Sequence, residues 1–140
     1  LEVLGGPGEG GLVSVQNEFS PRFREDREVL ERCTELGIAF LPWSPLGGSD
    51  NAKTLGSQFG EFAVVAAEHA ASVQEVTLAW LLSLSPTMIP IPGATKPVTI
   101  DSIVRSMRIE LSDSQRVRLS ATESVGETIF PESEPRSPLR

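Results

Sequence analysis

The sequence has one cysteine, one histidine and no tyrosine in 140 residues. A lone Cys33 closes no internal disulfide, and one Cys with one His cannot build a Cys/His zinc site. No apolar run reaches the roughly 18 residues a membrane helix needs. The most apolar stretch, Val76 to Leu84, is broken by Thr77 and Ser83. Positive charge is also scarce. Twelve Lys and Arg stand against nineteen Asp and Glu, a net charge of -7, so a long phosphate backbone would be repelled over most of the surface. Nucleic acid is not an expected partner. A small phosphorylated ligand needs only local donors and stays open. No signal-peptide pattern opens the chain, and a cytoplasmic location is expected. The first residue is Leu1 and the first methionine is Met88, so a longer parent protein is expected.

What is present alternates between two periods. Residues 1–11 hold five glycines and a proline and read as a flexible lead-in. Leu12-Val13-Ser14-Val15 suits a strand. Ser20-Pro21 opens a helical segment with Val29, Leu30, Cys33 and Leu36 on one face and Gly37 at its C-terminal cap. Ile38 to Leu41 reads as a second buried strand. Residues 42–60, rich in Gly, Ser, Asn and Pro, read as a long loop of the kind that carries function. Phe59, Phe62, Ala63, Ala66, Ala67 and Ala70 then mark a helical face. Ser72 to Glu75 is a capping box for a helix through about Leu84, where Trp80 is expected to pack on the sheet. Met88 to Ile91 reads as a third strand. Thr95-Lys96-Pro97 starts a helix with Ile100, Ile103, Val104 and Met107 on its apolar face. A second capping box, Ser112 to Gln115, leads a last helix through about Ser120. Residues 123–140 read as a disordered tail.

Strand, helix, strand, loop with helices, strand, helix is the order of a parallel α/β sheet with right-handed crossovers. Three strands alone would leave two open edges and one poorly covered face.

Three stretches together resemble the aldo-keto reductase family. Val13-Ser14-Val15-Gln16-Asn17-Glu18-Phe19 resembles its sixth barrel strand. Phe40-Leu41-Pro42-Trp43-Ser44-Pro45-Leu46-Gly47 resembles the seventh strand and its cofactor loop. Ile89-Pro90-Ile91-Pro92-Gly93-Ala94-Thr95-Lys96-Pro97 resembles the eighth strand and the turn that holds the adenosine phosphate. Glu110-Leu111-Ser112 recurs in the family before the final helix. The resemblance runs over residues 12–122 and implies a partial (β/α)8 TIM barrel holding the last three strand-helix units of an eight-stranded fold of about 250 residues. It implies NADP as cofactor, with NAD not excluded, and a small-molecule carbonyl or alcohol as substrate of the complete protein.

By the same resemblance, Trp43 stacks on the nicotinamide. A flat ring at a strand's C-terminal end can hold another flat ring; out of this motif it would read as a ring packed beneath the loop. Gln16 pairs with the carboxamide, since an amide offers both a donor and an acceptor. Ser44, Leu46 and Gly47 lie along the pyrophosphate, where small residues let backbone N–H groups approach oxygen. Gly93, Ala94, Thr95 and Lys96 precede a helix whose N-terminus favours phosphate, with Lys96 adding charge. The Glu-Asn pair that many relatives use on adenine is replaced by Ser102 and Ile103, and an arginine three residues earlier by Thr99. The family's catalytic Asp, Tyr, Lys and His come from earlier strands, so none is assigned here. His69, late in an Ala-rich helix, and Cys33, on a buried face, read as packing residues. Two functions follow as expectations. One is the cofactor-binding part of an oxidoreductase. The other is a truncated, inactive nucleotide-binding or interaction module, with a complementary barrel half or a second copy covering its open strands.

Overall fold

The structure, a computed structural model, describes residues 6–129. Its sheet is parallel. β1 (Ser14–Glu18) pairs with β2 (Ala39–Trp43), Ser14 opposite Ala39 and Glu18 opposite Trp43. Residues in register share a face and successive residues alternate. Phe40 is fully buried beneath the helices. Gln16, Leu41 and Trp43 therefore stand on the opposite face. The third expected strand is an extended segment joined to β2 by one bridge, Phe40 to Met88. Its hydrogen bonds continue the parallel pattern: Phe40 N–H donates to Thr87 O at 2.9 Å, Ile89 N–H to Phe40 O at 2.9 Å, and Ile91 N–H to Pro42 O at 3.3 Å. Pro42 of β2 has no N–H to give to Ile89 O, which keeps the ladder from completing. Ile89 and Ile91, alternating with buried Met88, are 52% and 39% exposed. One face of the sheet is thus packed and the other open.

The crossover helix α1 (Arg27–Leu36) buries Leu30 and Cys33. It starts later than Ser20-Pro21 suggests. Ser20 instead closes a turn, its hydroxyl accepting from Arg22 N–H at 3.2 Å and Phe23 N–H at 3.3 Å. Gly37 ends the helix in the left-handed region, φ 66, as expected. Burial pushes the Cys33 thiol up. That suits a core residue more than a nucleophile.

The long loop expected over residues 42–60 contains a helix, α2 (Asn51–Gln58). Only Leu55 of its eight residues is buried, so no apolar period announces it. It is held from outside. Gln74 Nε2 donates to Ala52 O at 2.6 Å, and Gly56 lies against the Val73 side chain. α3 (Gly60–Glu68) buries Phe62, Val65 and Ala66. Ala67 and Ala70, read as part of its inner face, are exposed, and Val65 takes that side. α4 (Val73–Leu84) is buried along most of its length and starts at the expected capping box.

α5 (Pro97–Ser106) departs most from expectation. Ser106 alone is buried; of the expected apolar face Ile103 packs against the core, while Ile100, Val104 and Met107 are exposed. The buried carboxylate of Glu75 ties α5 to α4. Glu75 accepts from Ser72 N–H at 2.8 Å, Ser102 Oγ at 3.0 Å and Arg105 Nε at 2.8 Å. Burial works to raise its carboxyl, but these bonds outweigh it and hold the group below the ordinary glutamate value.

α6 (Asp113–Ser120) carries the second capping box. Beyond it the chain returns to the strand ends. Val125 and Gly126 N–H both donate to Arg22 O, at 2.8 and 3.0 Å, and Thr128 Oγ1 and Ile129 N–H reach Glu18. Residues 123–129, read as the start of a disordered tail, are pinned here because they satisfy a buried carboxylate and a free carbonyl. The remaining tail, residues 130–140, and residues 1–5 of the lead-in lie outside the described residues. Part of that lead-in, Pro7–Glu9, forms one 3-10 turn. Among the described residues no helix is long and apolar enough to cross a membrane.

Trp80 centres the core. Its ring lies 5.4 Å from Phe62 and 6.4 Å from Phe19, its Nε1 donates to Ser120 Oγ at 3.0 Å, and the Arg24 guanidinium sits 4.7 Å over its centroid. Burial, helped by nearby Arg27, lowers the Arg24 pKa to about 10. Trp80→Ala is expected to cost about 3–5 kcal/mol in urea unfolding, against less than about 0.5 kcal/mol for exposed Val98→Ala. Glu75 sets an acid dependence. With its carboxyl below the unfolded value of about 4.3, its contribution is complete above that pH and lost as pH falls through the folded value. Urea midpoints should therefore drop on acidification in the wild type and drop less in Glu75→Gln.

Candidate functional site

The C-terminal end of β2 runs straight into a tight turn. Trp43 is the last strand residue and is half-buried. Ser44 then takes φ 49 and Gly47 φ 77, with Gly47 N–H donating to Ser44 O at 2.8 Å and Asn51 Nδ2 to Gly47 O at 2.8 Å. Glycine is required at position 47. A Cβ there would lie 2.9 Å from Arg22 Cδ and 3.3 Å from Asn51 Cβ. Arg22 fills the space beneath the turn, its own carbonyl taken by Val125 and Gly126 and its guanidinium reaching Gln58 Oε1 at 3.4 Å. The turn is thus set from below, and its upper side faces a cavity.

Two cavities adjoin this turn. The first, about 330 Å³, is lined by Ser44, Leu46, Gly48, Ser49, Ile91 and Gly93 among others. The second, about 350 Å³, lies between the start of α4 and α5 and is lined by Glu75, Val98, Thr99, Ser102, Ile103 and Arg105 among others. Leu46, Pro92 and Gly93 line both. The two cavities adjoin at these three residues and form a trough in two parts between the end of β2 and α5. The near part is walled by small residues and the far part by apolar side chains with a polar floor.

The nine residues singled out from the sequence divide into four sets. Ser44, Leu46 and Gly93 line the trough. Gln16 and Trp43 share the open face of the sheet, Gln16 two residues before Glu18, the register partner of Trp43. Gly47 is buried and shapes the turn. Ala94, Thr95 and Lys96 are exposed in the segment entering α5, where Lys96 is the N-cap, and they line neither cavity. His69 is engaged elsewhere, its Nε2 3.1 Å from Gln115 Oε1 at the end of α3. Sequence reasoning missed Glu75 and Arg105 as site residues. Glu75 was visible only as half of a capping box, and Arg105 only as one turn beyond Ser102 on the same helix. Nothing local to either shows that the two helices meet.

An elongated, partly anionic ligand fits this arrangement. The turn keeps its backbone close to the first cavity because no side chain intrudes at Gly47 or Gly48, and the second cavity has room for a ring system. Gly47→Ala is expected to lower stability by about 1–3 kcal/mol, read as a lower melting temperature.

Comparison with known proteins identifies the family and the fold. The family model described as "Aldo/keto reductase family" matches residues 8–123. An uncharacterized oxidoreductase of Schizosaccharomyces pombe is 37% identical over 108 residues, 77% of this chain and 34% of that protein. Pyridoxine 4-dehydrogenase of Escherichia coli is 32% identical over 102 residues, 73% of this chain and 34% of that protein. The chain thus spans about a third of the length of these curated relatives. Among solved structures, the thermostable aldo-keto reductase Tm1743, crystallised with the inhibitor epalrestat, superposes with a TM-score of 0.70 at 23% identity, covering 79% of this chain and 40% of that one. Gox0644, solved in complex with NADPH, superposes with a TM-score of 0.65 at 20% identity over 83% of this chain and 40% of that one. Two parallel strands, a third paired segment and flanking helices are therefore part of a barrel, and the chain belongs to the aldo/keto reductase family.

Proposed function

We propose that this chain seats the dinucleotide of an NAD(P)-linked oxidoreductase whose complete barrel transfers hydride between nicotinamide and a small carbonyl or alcohol. The observation that carries the reading is the pair of adjoining cavities that follow one another from Ser44, the residue after Trp43, to α5. In this reading Trp43 stacks on the nicotinamide and Gln16 pairs with its carboxamide. The Ser44-Pro45-Leu46-Gly47 turn lines the pyrophosphate with backbone N–H groups. Gly93, Ala94, Thr95 and Lys96, with the first turn of α5, face the adenosine half, where NADP is preferred. The bound dinucleotide supplies the hydride.

The protein's remaining task is to deliver a proton at the carbonyl oxygen, and this chain offers no tyrosine for it. His69 is engaged at α3, away from the trough. Alone, the chain is a binding module without turnover. The open face holding Ile89 and Ile91, and the exposed stripe of Ile100, Val104 and Met107, are where further barrel units, or a second copy, would pack. A cytoplasmic location is part of the same reading.

Titration of the chain with NADPH is expected to quench tryptophan fluorescence saturably. Trp43→Ala should abolish the quenching, while Trp80→Phe should retain it. A folded chain that leaves NADPH unbound would sink the proposal, as would steady NADPH oxidation with a carbonyl substrate sink the assignment of proton delivery to groups outside it.

A further inference from the structure

Resting on that dinucleotide reading, we infer that Gln74 is a positioning residue for the turn at the end of β2. From α4 it holds the start of α2, and so keeps the turn in its ligand-receiving shape before the dinucleotide arrives.

The turn stands in a shape the chain does not favour by itself. Ser44, which carries a side chain, takes φ 49, and Gly47 and Gly48 take φ 77 and φ 87. A left-handed residue other than glycine persists only where its surroundings fix it. From below, Gly47 is pressed on Arg22. From the far side, the first residues of α2 do the fixing. Asn51 Nδ2 donates to Gly47 O at 2.8 Å, and Ala52 N–H donates to Gly48 O at 3.0 Å. Both carbonyls at the exit of the turn are therefore committed to α2, and the turn is only as fixed as that helix.

α2 has little of its own to hold it. Its N-cap, Asp50, makes no side-chain capping bond, and Leu55 is its one buried residue. A helix of eight residues is marginal by itself. Gln74, in the first turn of α4, supplies the anchor, its Nε2 donating to Ala52 O at 2.6 Å. α4 is firm where α2 is not. It starts at a complete capping box and is buried from Glu75 to Leu81. Support thus runs from the core through Gln74 to Ala52, and from there to the turn. Ala52 lines the first cavity and Gln74 the second, so one side chain ties the walls of both. A preformed site removes the ordering cost of binding. A site formed only part of the time binds more weakly by that fraction, and the loss falls on association.

Stopped-flow quenching of tryptophan fluorescence by NADPH, on the 140-residue chain, separates the two rate constants. Gln74→Met stays neutral and of similar length but loses the donor. It should lower the association rate constant about fivefold and leave the dissociation rate constant within about twofold. NADH should slow by the same factor, because the turn serves the pyrophosphate both cofactors carry. Asn51→Ala breaks the same path at its other end, should behave alike, and carries the test where Gln74→Met fails to fold. Wild-type association in both variants overturns the inference. So does a lower quenching amplitude with wild-type rate constants, which leaves Gln74 a role in stability alone. An effect confined to dissociation overturns it too, since Gln74 would then be a direct ligand contact. A folded wild-type chain that leaves both NADPH and NADH unbound overturns the dinucleotide reading as well.

Discussion

The parallel pairing of β1 with β2 is the constraint on which the rest depends. Its register sets Glu18 opposite Trp43 and, by alternation, commits Gln16, Leu41 and Trp43 to one face and Phe40 to the other. A slip of one residue in either strand would exchange those faces. The helices bury one side through Phe40, Met88 and Trp80, which leaves the side of Gln16, Leu41 and Trp43 open.

At the strand ends, packing and ligand access share one short segment. Gly47 is pressed on Arg22 from below, and Arg22 O anchors the returning chain at Val125 and Gly126. Thr128 and Ile129 satisfy Glu18, a buried carboxylate at the end of β1. The turn that lines the first cavity therefore depends on a segment more than seventy residues away. The buried Glu18 carboxylate and the Arg22 carbonyl both find their partners in this segment.

Glu75 plays the corresponding part at the far end of the trough. A capping box needs only one of its carboxylate oxygens; the other reaches across to α5. The same residue starts one helix, fixes the next and holds a guanidinium at a cavity wall. Burial disfavours its charge and hydrogen bonds restore it, so the join between the helices is also an electrostatic setting for whatever enters the cavity.

Local rules read from the sequence determined a good deal. Hydrophobic period marked β1, β2, α1 and α4; the capping boxes at Ser72 and Ser112 placed two helix starts; Gly37 placed a helix end; and three strand-end motifs pointed to the family. These are near-neighbour signals, and each survives because it needs no distant partner. Tertiary structure decided the rest. α2 carries a single buried residue and exists by leaning on Val73 and Gln74. Pro42 reduced the third strand to a bridged segment, and α5 leaves Ile100, Val104 and Met107 uncovered by any described residue while Ile103 meets the core. Arg105 became a cavity residue only when Glu75 reached it across thirty positions of chain. Periodicity speaks for one element at a time; which elements meet, and which side chains they bring together, is settled by packing alone.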